Sequence, residues 1–380
     1  MKGAKATGIL YYVGIMLVCA PFLRKNVLYL PLVFLLAWGV KRGADYLTEN
    51  DTVTALRERT DRFVLRRRLP LLAFLVAGVL ILPLISSNYF VEIVTAAFLY
   101  AILATALNIT VGLTGVLVLG FIGFYAIGAY VTGMLTAKFA LCNFWVALPL
   151  SGLTAMLFGV LLGIPTLRLK GDYLAIVTLG FGEIVKIFLN NLDSLTGGPN
   201  GILGIKRPGF WVFRIDSIVD FYYFTFVFLA ATIFIVGRII DSRFGRAWVA
   251  VRENEMAAGA LGIDVFRKHL LSFSLSAFFA GIAGSLFAAK QGFISPDSFT
   301  FYESVLVLCM VVLGGLGNIA GAVLGAFLLI VVPEFLREFA LYRMLIFGAV
   351  MIAFMIFRPH GILGSRTITL EMEDARHAEE

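Results

Sequence analysis

Apolar runs long enough to cross a bilayer recur along nearly the whole chain, and few folds other than a polytopic membrane protein accommodate them. A crossing helix rises ~1.5 Å per residue and needs ~20 predominantly apolar residues to traverse ~30 Å of hydrocarbon. Runs of this kind are Pro70–Ser87, Val91–Val111, Leu113–Ala137, Trp145–Gly163, Tyr173–Leu189, Phe221–Val236 and Leu270–Ala289. A 28-residue run, Val305–Val332, is interrupted at Gly314-Gly315-Leu316-Gly317-Asn318 and divides into two crossings or a bent hairpin; Met344–Phe357 follows it. Ahead of them, Gly8–Leu23 and Val27–Val40 are short and separated only by Arg24-Lys25-Asn26. They form a tight hairpin or partly interfacial helices, two alternatives the sequence leaves open. The expected fold is an all-α polytopic membrane protein with about ten core transmembrane helices plus a short N-terminal hydrophobic pair.

Composition agrees. The chain is 60% hydrophobic and 14% charged, against ~45–50% and ~25% in soluble domains. No A-x-A site closes Gly8–Leu23, and Leu17-Val18-Cys19 lacks the small residue that a lipoprotein signal places before its cysteine, so this segment reads as a retained anchor. Cys19, Cys142 and Cys309 lie in apolar runs without CxxC spacing, and His269, His360 and His377 share no helical face. These patterns point to packing residues and to no metal site.

The formal net charge of +7 is explained by orientation in the membrane, without nucleic acid. With residues 41–69 inside, the inner segments hold 19 Lys/Arg, or 21 with Lys2 and Lys5, and the outer loops hold seven. The positive-inside rule requires that asymmetry, and it places both termini in the cytoplasm. The chain then has three parts: 1–69, the hydrophobic pair and a basic linker ending in Arg66-Arg67-Arg68; 70–360, the membrane domain; and 361–380, a cytoplasmic tail. The linker is read as a solvated stop-transfer cluster, with lipid-headgroup or partner binding as the other reading.

Residues 238–268 form a cytoplasmic island with six Lys/Arg and four Asp/Glu between two spans. In it, Glu255-Met256-Ala257-Ala258-Gly259-Ala260-Leu261-Gly262 couples helix-forming alanines to a glycine able to turn the chain. Arg246, Arg252, Glu253 and Glu255 supply ion-pairing groups, and Phe244, Trp248 and Val251 an apolar side. The residues alone leave two readings open: a docking helix, or an amphipathic helix lying on the inner leaflet. The chain contains no G-x-x-x-x-G-K-[ST] phosphate loop, no H-E-x-x-H and no nucleophile–base constellation, so no catalytic residue is assigned.

Three motifs in order carry a resemblance. Gly245-Arg246-Ala247 leading to Arg252-Glu253, Ala257-Ala258 and Gly262-Ile263 looks like the cytoplasmic coupling loop of bacterial ABC importer permeases. Lys170-Gly171-Asp172-Tyr173-Leu174-Ala175-Ile176-Val177-Thr178-Leu179-Gly180-Phe181, with Thr196-Gly197-Gly198-Pro199-Asn200-Gly201-Ile202, resembles the permease subunits of branched-chain amino-acid ABC importers, on their LivM-type side. The resemblance spans roughly residues 90–360; Gly259 and the Glu255-Met256 pair depart from a strict Glu-Ala-Ala run. It implies an inner-membrane subunit in a heterodimer with a second permease, two ATP-binding cassette subunits and a periplasmic substrate-binding protein. ATP and Mg would be bound by the cassettes and no cofactor by this chain. It also implies that Gly245, Arg246, Arg252, Glu253, Glu255, Ala257, Ala258 and Gly262 couple the permease to the ATPases. The implied cargo is leucine, isoleucine, valine or related amino acids, with urea or short amides as alternatives.

Glu183 and Lys186, three apart, share a helical face with either a water-filled path or a bilayer edge before them. With Tyr173 and Thr178 they are the candidate path residues. Thr196-Gly-Gly-Pro-Asn-Gly is a turn-rich outer loop that receives a binding protein or caps a helix. Gly317, Gly321 and Gly325 recur every four residues as a helix-packing stripe. The rival from another class is an ion-coupled secondary carrier with a midplane site at Glu183, Lys186 and the broken 305–332 segment.

Overall fold

The computed structural model describes residues 78–335, apart from 170, 211, 212 and 216, together with 348, 352 and 361–363. The expected N-terminal pair, the 41–69 linker, residues 70–77 of Pro70–Ser87, most of Met344–Phe357 and residues 364–380 of the tail lie outside the described residues. The chain divides into two compact units, Met1–Ile81 with Leu345–Ala353, and Leu82–Met344 with Phe354–Glu380. The second unit holds nearly all of the described residues.

Its helices are α1 (Asn88–Thr114), α2 (Ile122–Gly133, continued by a π turn Met134–Lys138), α3 (Phe144–Thr166), α4 (Asp172–Asn191), α5 (Ile218–Ile240), α6 (Arg243–Glu253), α7 (Glu255–Ala260), α8 (Val265–Gln291), α9 (Phe301–Gly314) and α10 (Ile319–Phe335). Five described stretches are long and apolar enough to cross a membrane: α1, α3, α5, α8, and Pro296–Gly314, which ends in α9. The architecture is that of an all-α polytopic membrane protein.

Helices α1 and α8 form the core, and their length lets each pack against several partners. In a bilayer, apolar side chains gain little by meeting one another, so association depends on close backbone approach and shared hydrogen bonds. Both are visible here. A β-carbon at Gly128 would sit 2.2 Å from the Gly281 carbonyl oxygen, and one at Gly284 2.1 Å from that of Tyr125. Between α8 and α1, the Ser276 hydroxyl donates to the Ala106 carbonyl at 2.8 Å. The outward side of α3, with Leu153, Leu157, Phe158 and Leu161 exposed, is lipid-compatible surface.

The expected span Leu113–Ala137 begins differently from its reading as one continuous helix. Gly115, at φ 74°, ends α1, and residues 116–121 are largely irregular before α2 starts. Irregular backbone at membrane depth must find hydrogen-bond partners in protein, and two side chains supply them. Thr178 Oγ1 on α4 accepts from the Leu119 amide at 3.1 Å, and Ser304 Oγ on α9 accepts from the Ile122 amide at 3.0 Å. Gly120 makes the approach feasible, since a β-carbon there would lie 1.7 Å from the Thr178 carbonyl oxygen.

The 28-residue apolar run divides into α9 and α10 at a turn over 315–318. Gly314 and Gly321 crowd each other's carbonyl oxygens, at 2.1 and 2.3 Å from the positions of added β-carbons, and Gly325 meets that of Met310 at 2.1 Å. Gly321 and Gly325 thus face α9 within the chain. Gly317 stands apart from them, at φ 83° in the turn. Outside the helices, two-residue strands β1 (Ile202–Leu203) and β4 (Phe293–Ile294) pair antiparallel, as do β2 (Gly209–Phe210) and β3 (Phe213–Arg214). The amides of Ile362 and Leu363 donate to the carbonyls of Leu313 and Gly314 at 2.8 and 3.0 Å, capping α9.

Candidate functional site

The island folds as two short helices joined at Asn254. Ser242 caps α6 by accepting from the Phe244 amide at 3.1 Å, and Asn254 Oδ1 caps α7 by accepting from Met256 and Ala257, both at 3.0 Å. Side chains three and four apart on a helix share a face, and on α6 that face is Gly245, Trp248, Val251 and Arg252. Gly245, Trp248 and Val251 are buried, and the indole of Trp248 donates to the Lys268 carbonyl at 2.9 Å. A β-carbon at Gly245 would lie 2.0 Å from the Ile240 carbonyl oxygen.

Arg252 follows the same face inward. Its guanidinium donates to the Gly112 carbonyl at the end of α1, and its side chain would lie 3.3 Å from a β-carbon at Gly115 or at Gly317. The Gly317 amide in turn donates to Asn108 Oδ1 at 2.9 Å. Arg252, read from sequence as an ion-pairing group, is a strut between α6, α1 and the α9–α10 turn. Arg246 donates to the Asp241 carbonyl at 3.0 Å, and Glu253 is exposed. The ammonium of Lys268 lies 4.9 Å from the Phe244 ring centre.

On α7 the arrangement is reversed. Only Ala258 is buried; Ala257, Gly259 and Ala260 are exposed, and Glu255 is half-buried in the first turn. Met256 and Leu261 are 84% and 82% exposed. Gly262, at φ 83°, closes the helix: its amide donates to Gly259 and that of Ile263 to Ala258, both at 3.0 Å. That pair of hydrogen bonds is the Schellman ending, which favours glycine because its left-handed backbone crowds a β-carbon. No atom lies within 4 Å of a β-carbon at Gly259 or Gly262. The result is a short, flat surface of small residues with an apolar side chain near each end. Ala258 is not part of it: replacing Ala258 would disturb packing, whereas Met256 and Leu261, which sequence reasoning missed, are its protruding groups. Their signal was present as two large apolar residues flanking Ala-Ala-Gly-Ala in a solvated loop.

The candidate path residues lie along α4 without converging. Tyr173 is exposed near the inner end by the expected orientation, and Thr178 is buried, its hydroxyl committed to the Leu119 amide. Glu183 and Lys186 are half-buried nearer the other end. They do not pair with each other. Lys186 Nζ lies 3.7 Å from Asp297 Oδ1, on the segment before α9. The Thr196 loop caps α4, with its hydroxyl donating to the Leu189 carbonyl at 2.6 Å, and Gly201 lets the chain pass the Ile294 carbonyl, 1.9 Å from where a β-carbon would stand. Among the described residues no group of His, Cys, Asp and Glu is arranged to hold a metal ion.

Comparison with known proteins gives consistent matches. Residues 89–355 match the family model described as branched-chain amino acid transport system / permease component. The chain is 45% identical over 326 residues, 80% of its length and 76% of the relative's, to the high-affinity branched-chain amino acid transport system permease protein LivM of Escherichia coli. The Salmonella typhimurium protein of the same name matches equally over the same shares. The high-affinity branched-chain amino acid transport system permease protein LivH of Salmonella typhimurium is 29% identical over 71% of this chain and 93% of its own. No solved structure matches.

Proposed function

This chain belongs to the family of branched-chain amino acid transport system permease components, and on that premise we propose that it is a permease subunit of an ABC importer carrying leucine, isoleucine, valine or related amino acids into the cytoplasm. The observation that carries the proposal is 45% identity to the LivM proteins over four-fifths of the chain. The subunit performs no chemistry of its own; ATP and Mg are bound by two ATP-binding cassette subunits, and a periplasmic binding protein selects and delivers the cargo. The 29% identity to LivH supports a heterodimer of two related permeases. The proposed placement is the inner membrane, with ten core helices after the N-terminal pair, and with residues 1–69, 238–268 and 361–380 touching the cytoplasm.

In this reading the α7 surface receives a cassette. Exposed Met256 and Leu261 supply burial, and the small residues between them let the partner approach the backbone. Force applied to α7 passes through Asn254 to α6. Trp248 and Arg252 hand it to α8, α1 and the α9–α10 turn. Tyr173, Glu183 and Lys186 then lie on the face of α4 turned to the path between the two permeases, and Thr178 fixes that helix to the segment before α2.

The test is reconstitution of the full complex with its cassettes, second permease and binding protein. Leucine uptake is expected to require ATP and to rise with loaded binding protein. Uptake that survives ATP depletion and collapses with an ion gradient would overturn the proposal.

A further inference from the structure

Half-buried Glu183 and Lys186, one turn apart near the end of α4, and exposed Asp297 before α9 put ionisable groups at one end of α4. The Lys186 side chain is 28% exposed and that of Asp297 90%. Charges facing hydrocarbon are costly, and such groups face protein or water instead. The Lys186–Asp297 separation of 3.7 Å is wider than the ~2.7–2.9 Å of a close ammonium–carboxylate bond. Glu183, one turn from Lys186 on the same face, makes no ion pair with a described residue. Lys186 and Asp297 thus offer a cation and an anion in loose contact, with a second anion, Glu183, one turn from the cation.

From this geometry we infer that the end of α4 and the turn before α9 form a transit site for the zwitterionic head of an amino acid. The inference rests on the amino-acid importer reading above. Lys186 receives the carboxylate, and Asp297 and Glu183 receive the ammonium. The incoming zwitterion replaces the loose Lys186–Asp297 contact with two charge-assisted contacts of its own, so neither protein charge is stranded as the cargo passes. Because the head group is common to all amino acids, the site recognises the class and leaves side-chain choice to the binding protein.

The experiment uses the complete complex in proteoliposomes with ATP and leucine-loaded binding protein, reading uptake and ATP hydrolysis in parallel. Asp297→Asn is the cleanest variant, since its exposure removes packing from the comparison; Lys186→Gln accompanies it. Each is expected to lower uptake about tenfold, the scale of one hydrogen bond to a charged group, while stimulation of ATP hydrolysis by loaded binding protein is retained. Uptake within about twofold of the unaltered complex in both variants overturns the site, being well short of the loss of a charge-assisted contact. Recovery of uptake in the exchanged pair Lys186→Asp/Asp297→Lys also overturns it, because a structural latch tolerates reversal whereas an oriented zwitterion does not. Failure of the importer reading is distinct: the unaltered complex itself would show no ATP-driven leucine uptake.

Discussion

Helices α6 and α7 adjoin in sequence and share one loop, yet they treat solvent in opposite ways. On α6 the large groups point inward: Trp248 and Val251 are buried and the Arg252 guanidinium reaches the end of α1. On α7 the one buried side chain is a methyl group, Ala258, while Met256 and Leu261 project outward. A bilayer-surface helix would turn a single apolar stripe the same way throughout its length. The contrast divides the labour in the proposed reading: α6 is fastened to the membrane domain, and α7 leaves Met256 and Leu261 exposed for the cassette. The charges that first set this loop apart are mostly spent on local geometry, and the neutral residues carry the difference.

Four variants test that division, in order of decreasing effect. Trp248→Ala removes the anchor and is expected to cost about 3–5 kcal/mol, visible as a lower melting temperature of the purified complex; an unchanged melt would mean that α6 is not fastened by its indole. Arg252→Ala should leave the cassettes bound in a pull-down but reduce uptake per ATP hydrolysed about tenfold, in line with loss of about 1.5–3 kcal/mol for a hydrogen bond to a charged group. If uptake per ATP is preserved, the strut transmits nothing. Met256→Glu with Leu261→Glu reverses the pattern: stability should stay within about 0.5 kcal/mol, as for surface changes, while cassette association weakens. Intact association there would remove α7 as the docking surface. Gly262→Ala is the mildest, a strain of about 1–2 kcal/mol in the left-handed turn, with α7 fraying detectable by faster amide exchange at Leu261 and Ile263.

Much of this architecture is legible in the residues alone. Hydropathy anticipated the five described stretches long and apolar enough to cross a membrane, because the solvent itself enforces the pattern, and glycines marked the α9–α10 turn and the end of α7. Arg252 could have been placed too, since Trp248, Val251 and Arg252 are three and four residues apart in a helix and so share a face; its charge suggested an ion-pairing role instead. Other features depended on contacts no local pattern encodes. Residues 116–121 read as part of a helix because their apolarity is identical in either conformation; Gly115 ends the helix in the left-handed region, and Gly120 lets the irregular segment that follows meet α4 at Thr178. The partner of Lys186 is Asp297, far along the chain, and only the fold brings them together. The same holds for the stripe of Gly317, Gly321 and Gly325, whose first member belongs to a turn.

The stitches at Leu119 and Ile122 impose a discipline on motion. Each amide, one in the irregular segment and one at the first residue of α2, is satisfied by one hydroxyl, from Thr178 on α4 and from Ser304 on α9. Drawing either helix away removes the amide's hydroxyl partner, at a cost on the order of 1–3 kcal/mol wherever the donor is left unsatisfied. Gradual drift is therefore resisted, and α4 moves only by trading that bond for another. In the proposed transport cycle the segment would act as a detent: the Thr178 hydroxyl holds α4 in one seat until another partner replaces it.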